Sequence, residues 1–211
     1  MQQLFSDKLE QASEQMGIAL SPQQQAQLLQ YLALLQKWNQ TYNLTAIRDP
    51  EEMLVKHIID SLAVVPYLQF ERMIDVGTGG GLPGVVLAIM FPEKQVDMLD
   101  SNHKKTRFLV QAKGVLGLQN SQIHHCRVET YQPKTLYDGI ISRAFARIDE
   151  MVHWTQHLLA KEGFWWAMKG QKETEDLTQL EGVDVVQVIP LKVPFLSAER
   201  TLIQLKEKTH G

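Results

Sequence analysis

Apolar positions recur at helical spacing through the first third of the chain, and from residue 73 onward they gather into short dense runs separated by helical stretches. Phe5, Leu9, Ala12 and Met16 share one face of a first helix, which Gly17 stops. Ser21 and Gln24 form a capping box around Pro22, and Leu28, Tyr31, Leu32, Leu35 and Trp38 continue as a second apolar stripe. Asp49 before Pro50 caps a third helix lined by Leu54, Ile58, Leu62 and Val65. Strands are expected at 73–76, 95–99, 122–126, 137–142 and 164–168, with helices at 85–91, 104–116 and 149–159 between them. Runs at 183–189 and 201–205 have no helix between them and are expected to pair antiparallel. The pattern predicts an α/β fold: a helical cap over residues 1–66, then a domain over 67–211 whose mostly parallel sheet is covered on both faces and closed by an antiparallel C-terminal strand.

The densest signal is Met73-Ile-Asp-Val-Gly-Thr-Gly-Gly-Gly-Leu-Pro-Gly84, which passes from strand through a glycine-rich turn into a helix. Gly77, Gly79, Gly80 and Gly81 leave no Cβ between backbone and ligand, and Pro83 suits a first helical turn. Gly79, Gly81 and Gly84 also fit a dinucleotide fingerprint, so an NAD-binding oxidoreductase competes for this loop. Asp75 argues against it, because a pyrophosphate gains nothing from a nearby carboxylate. A cationic, phosphate-free nucleoside such as S-adenosylmethionine fits better, with Asp100 spaced to take ribose hydroxyls or, alternatively, to cap a helix.

Composition narrows the setting. The 211 residues, 44% apolar, suffice for one α/β domain with an appendage. The lone Cys126 excludes an intrachain disulfide, and with no targeting segment or spanning apolar run visible a cytoplasmic location is expected. A net charge of −3 disfavours a nucleic-acid binder unless cations are gathered locally. In a parallel sheet the residues after each strand surround the ligand, which brings Lys104, Lys105, Arg127, Arg143, Arg147 and Lys169 to one rim. That rim favours an anionic substrate such as RNA; the alternative is a set of unrelated solvated charges. His57 stands as a packed or a catalytic histidine, Asn43 as a functional or a turn residue, and Arg143 as a positioning group or the partner of an acid such as Asp149.

The glycine loop, Leu-Asp-Ser at 99–101, Arg-Val-Glu at 127–129, Ile-Ser-Arg-Ala-Phe-Ala at 141–146, Met-Lys-Gly at 168–170, Tyr-Asn-Leu-Thr at 42–45 and His-Ile-Ile-Asp-Ser at 57–61 together resemble the RsmG (GidB) family over nearly the whole chain. The resemblance implies a Rossmann-like class I S-adenosylmethionine-dependent methyltransferase acting at N7 of a guanine in the 530 loop of bacterial 16S rRNA, the base customarily numbered 527. It assigns the cofactor to Gly77, Leu82, Val128, Glu129 and Arg143, beside Asp75, Gly79, Gly81 and Asp100 from the loop reading. It links Asn43, His57, Lys104, Arg127 and Lys169 to activity or RNA engagement, beside Arg143 for catalytic positioning and Lys105 for RNA from the strand-end reading. Gly80 departs from the proline or alanine expected there, which loosens the loop. The implied partner is 16S rRNA or the small subunit, with no metal and no membrane; the sequence does not determine the oligomeric state, and a monomer is the favoured expectation.

Exclusion points the same way. An Asn/Asp-Pro-Pro-aromatic loop for exocyclic amines is absent, because Ser142-Arg143-Ala144-Phe145 occupies its place, and Cys126 lacks the preceding proline of a pyrimidine-methylating nucleophile. Guanine N7 has a lone pair and no proton to lose, so a site without an obvious base is intelligible. A third possibility is a non-catalytic RNA-binding module that has kept a cofactor pocket.

Overall fold

The computed structural model describes residues 2–145, 147–170, 177 and 180–208. Ala146, the last residue of the 141–146 motif, lies outside them. Seven strands form one sheet in the order β3-β2-β1-β4-β5-β7-β6. They are β1 (Arg72–Val76), β2 (Gln95–Asp100), β3 (Ile123–His125), β4 (Tyr137–Ser142), β5 (Leu159–Gly170), β6 (Val183–Leu191) and β7 (Arg200–Glu207). The first five are mutually parallel, and β7 runs antiparallel to both β5 and β6.

The period-two alternation of the strands sorts their side chains into two layers. Met73, Ile141, Trp166, Met168 and Leu202 face a core shared with α1 (Gln2–Gln15), α2 (Pro22–Tyr42), α5 (Gly84–Met90) and α6 (His103–Leu116). Ile74, Ile140, Trp165, Ala167 and Ile203 face the opposite core, with Ile148 and Met151 of α7 (Ile148–Thr155). The N-terminal helices therefore share one continuous buried cluster with the sheet.

Local chemistry fixes the segments that reach the site. Ser21 accepts from the Gln24 N–H and the Gln24 side chain accepts from the Ser21 N–H, starting α2 as the sequence predicts. The third helix departs from a regular α-helix: α3 (Pro50–Met53) passes into a π-helical stretch, Leu54–Ile59, before the closing turn α4 (Asp60–Leu62). Such widened turns shift the residues after them around the axis, and this one carries His57 with Asp60 directly behind it. The helix expected over 149–159 ends at Thr155, and Leu159 opens β5, whose register against β4 is broken between Tyr137 and Gly139.

Candidate active site

The glycine loop is fastened at both ends by Asp75. Its Oδ2 accepts from Thr78 Oγ1 at 2.6 Å and from the Gly84 N–H at 2.7 Å, which ties the end of β1 to the start of α5. Burial pushes its carboxyl up to about 6, opposed by these two donors. Asp75 was expected to face a cationic ligand. It is instead fully buried and organises the loop from behind.

Gly77 and Gly79 adopt positive φ of 70° and 62°. A Cβ on Gly77 would stand 2.7 Å from Ala144 Cβ, whereas one on Gly79 would meet nothing nearer than Lys105 Nζ at 3.8 Å. Gly79 thus borders open space. Gly81 differs from the sequence expectation, because a Cβ there would strike Val85 and Leu109; its missing side chain serves helix packing, and it is buried. Gly80 is not loose: its carbonyl accepts from the Tyr31 hydroxyl at 2.5 Å, so α2 holds the loop from above.

Gly77, Thr78, Gly79, Gly80 and Leu82 floor a cleft of about 200 Å³, roofed by Leu35, Leu44 and Thr45 and closed by His57, Arg143 and Ala144. Past the Gly79 end lies Asp100, whose Oδ2 accepts from the Gly79 N–H and Oδ1 from the Asn102 N–H, both at 2.8 Å. Each oxygen retains acceptor capacity for a hydroxyl. Asn102, not Asp100, is the N-cap of α6. Backbone free of side chains, a carboxylate beyond it and no cluster of cations fit a nucleoside with hydroxyls, as in S-adenosylmethionine. Val128 and Glu129 lie in the turn after β3, the neighbour of β2, with Glu129 exposed; neither lines this cleft.

A second cavity of about 310 Å³ adjoins the first and shares His57 and Arg143 with it. Lys56, Asp60, Met168, Lys169, Arg200 and Thr201 contribute to its wall. Lys169 was expected on an exposed rim, but it is 4% exposed and its Nζ donates to the Phe145 carbonyl at 3.0 Å. By strand alternation it shares the face of Trp165 and Ala167, where Phe145 also packs, and it contributes to the cavity wall between Met168 and Gly170. Arg143 pairs with Asp60 at 3.2 Å, not with Asp149, which Arg147 holds through two hydrogen bonds.

His57 is 6% exposed. Its Nδ1 stands 3.1 Å from the Lys56 carbonyl and its Nε2 2.8 Å from Thr45 Oγ1, which itself accepts from the Ile47 N–H. The consistent assignment is a neutral ring donating from Nδ1 and accepting at Nε2 from the Thr45 hydroxyl. Burial, reinforced by the Arg143 charge, lowers its pKa to about 4. The packed histidine of the sequence reading is what the structure contains. Asn43 is the exposed left-handed C-cap of α2, accepting from Arg48 Nη2 at 3.1 Å, so its geometry is that of the turn residue. It lines neither cavity; its neighbours Leu44 and Thr45 do line the cleft.

The expected rim divides. Lys104 and Arg127 are exposed, Lys105 is partly covered beside Gly79, and Arg143 and Lys169 belong to the cavities. Cys126 is half-buried with its thiol pKa raised by burial, which does not favour a nucleophile. Asp60, Arg200, Lys56 and Thr45 were not assigned from sequence. The signal for Asp60 was a carboxylate three residues after His57, on the same flank of the helix as Met53 and His57.

A family model described as rRNA small subunit methyltransferase G, GidB, matches residues 24–203. The chain is 60% identical over 205 residues to "Ribosomal RNA small subunit methyltransferase G" of Hydrogenovibrio crunogenus, covering 97% of this chain and 95% of that protein. It is 48% identical over 206 residues to the protein of the same name from Pseudomonas aeruginosa, covering 97% and 96%. Among solved structures, a putative O-methyltransferase from Klebsiella pneumoniae superposes with a TM-score of 0.62 at 12% identity, covering 99% of this chain and 100% of that one. A SAM-dependent methyltransferase from Aquifex aeolicus gives 0.56 at 16% identity, covering 74% and 93%. These two likenesses establish the fold.

Proposed function

Because the chain belongs to the rRNA small subunit methyltransferase G family, we propose that it transfers the methyl group of S-adenosylmethionine to N7 of a guanine in the 530 loop of 16S rRNA, the base customarily numbered 527. The observation that carries this reading is the wall of His57 and Arg143 common to two cavities of different chemistry. The glycine cleft takes the cofactor, with Gly77, Gly79, Leu82 and Arg143 as its contacts there and Asp100, Val128 and Glu129 meeting the part that extends beyond the cleft. The cationic cavity takes the acceptor nucleotide. S-adenosylmethionine bound in the cleft supplies a methyl group on a positively charged sulfur.

What the chain contributes is placement. Asp75 and Tyr31 fix the loop, and Asp100 fixes Gly79 at the cleft's edge. Arg143 stands between donor and acceptor as the positioning residue. Guanine N7 has no proton, so no side chain need remove one, and a neutral His57 with a pKa near 4 serves as a wall. Holding two reactants in attack geometry contributes roughly 7–11 kcal/mol to such reactions. Outside the cavities, exposed Lys104 and Arg127, with Lys105, meet RNA phosphates, while Lys169 acts from within.

The region 1–66 acts as a cap over the cofactor loop, and the protein works as a monomer in the cytoplasm on 16S rRNA or the small subunit. No helix among the described residues is long and apolar enough to cross a membrane. The test is incubation with methyl-labelled S-adenosylmethionine and unmodified small subunits, followed by borohydride and aniline scission, which cleaves RNA at N7-methylated guanines. One scission at the predicted guanine is expected. Label elsewhere, none at all, or binding of NAD in place of S-adenosylmethionine would overturn the assignment.

A further inference from the structure

Asp60 has no part in the transfer chemistry, yet it is 1% exposed and binds two guanidinium groups from distant strands. Its Oδ2 accepts from Arg143 Nη1 at 3.2 Å, just beyond β4, and its Oδ1 from Arg200 Nε at 2.9 Å, at the start of β7. Arg143 Nη1 also donates to the Lys56 carbonyl, and Arg200 Nη1 to the Glu199 carbonyl. Nε and Nη2 of Arg143 and Nη2 of Arg200 keep donors with no partner among the described residues, and both side chains line the acceptor cavity.

Charge says which part of a nucleotide these donors suit. Arg143 and Arg200 line the cavity, with Asp60 as the one carboxylate among the described residues of its wall, in a chain whose net charge is −3. Methyl transfer moves positive charge from the sulfur to the guanine ring, so a cation held against the ring opposes the reaction. Sugar and phosphate oxygens suffer no such penalty and match guanidinium donors well. A nucleotide modified in the middle of an RNA chain must be swung out to enter a pocket, and its backbone then lies at the mouth.

We propose that Asp60 is the positioning carboxylate of the acceptor side, holding Arg143 and Arg200 as a pair whose remaining N–H groups take the sugar–phosphate oxygens of the flipped acceptor nucleotide. The carboxylate also offsets cationic charge close to where the ring becomes positive. This inference rests on the acceptor reading of the second cavity.

The experiment compares Asp60→Asn, Arg200→Gln and the double variant, with small subunits as substrate and 5′-GMP and guanosine as competitors. Each single change is expected to lower kcat/KM by about thirtyfold, and the double variant to fall within about threefold of the worse single, because both act through one contact. With Arg200→Gln the loss lies in KM, S-adenosylmethionine affinity stays within about twofold, and the advantage of 5′-GMP over guanosine as a competitor disappears. A general loss of structure would not remove that preference selectively. Additive single effects, or an Arg200→Gln variant with unchanged KM and unchanged competitor preference, would overturn the proposal. Should Asp60→Asn fail to fold, Arg200→Gln decides alone. A parent protein that labels no RNA would instead bring down the functional reading.

Discussion

The two halves of the site are built by opposite means. On the cofactor side, residues 75–84 form their own contacts: Asp75 binds Thr78 and Gly84 within a single strand–turn–helix unit, and Asp100 joins from the adjacent strand. On the side proposed for the acceptor, Asp60, Arg143, Lys169 and Arg200 come from a helix and three strand ends spread over 140 residues. A local motif can be laid down once and kept; a clamp of distant charges exists only when the N-terminal helices dock on the finished sheet. Cofactor binding should therefore survive changes that abolish acceptor handling, and the reverse should be harder to achieve.

Substitution at Gly79 should separate the two halves most severely. Gly79→Val forces a β-branched side chain to a φ of 62° and fills the cleft, so S-adenosylmethionine affinity should fall about a thousandfold or more, measured by calorimetry, while the fold persists.

Two buried groups of the site titrate in opposite senses. His57 has its pKa lowered to about 4, so below its unfolded value of 6.5 the unfolded chain binds the extra proton, and stability is lost as pH falls from about 6.5 to 4. Asp75 has its pKa raised to about 6 from 3.8, so its contribution is present at low pH and lost as pH rises through 6. Each shift corresponds to about 3 kcal/mol, and between pH 4 and 6 they nearly cancel. Asp75→Asn should unmask the histidine: in urea titrations the variant's stability should climb with pH more steeply than the parent's by about 1 kcal/mol per unit.

Asp100→Ala should weaken S-adenosylmethionine by about 1–3 kcal/mol through lost hydrogen bonds, with rRNA affinity unchanged. Lys104→Ala, exposed at the start of α6, should do the opposite: cofactor affinity stays, and the log–log salt slope of RNA binding drops by about 0.7–0.9.

The same contrast explains what the sequence made legible. Capping residues, strand alternation and the glycine turn act over a few residues, so α2, the five parallel strands and the loop follow from local pattern, as does the antiparallel pairing of β6 with β7. That Lys169 is buried depends on which strands flank β5, and no spacing along the chain carries that. Asp60, which pairs with Arg143, directly follows the π-helical turn at Leu54–Ile59, and that turn has no local signature here. Gly81 was assigned to the ligand because every glycine in the loop has the same sequence signal; only the neighbouring Val85 and Leu109 show that its role is packing. Leu158 and Leu159 extend the apolar pattern of α7, yet Leu158 closes a turn and Leu159 pairs in β5.

On the proposed chemistry, this site works by placement and moves no proton. The most direct test is the single-turnover rate of methyl transfer from a preformed complex of protein, S-adenosylmethionine and small subunit, followed across pH. The rate should be nearly flat between about pH 6 and pH 9, since His57 is already neutral there and the acceptor nitrogen carries no proton. A rate rising about tenfold per pH unit, with the rise abolished by His57→Ala, would show a general base at work and contradict the assignment to N7.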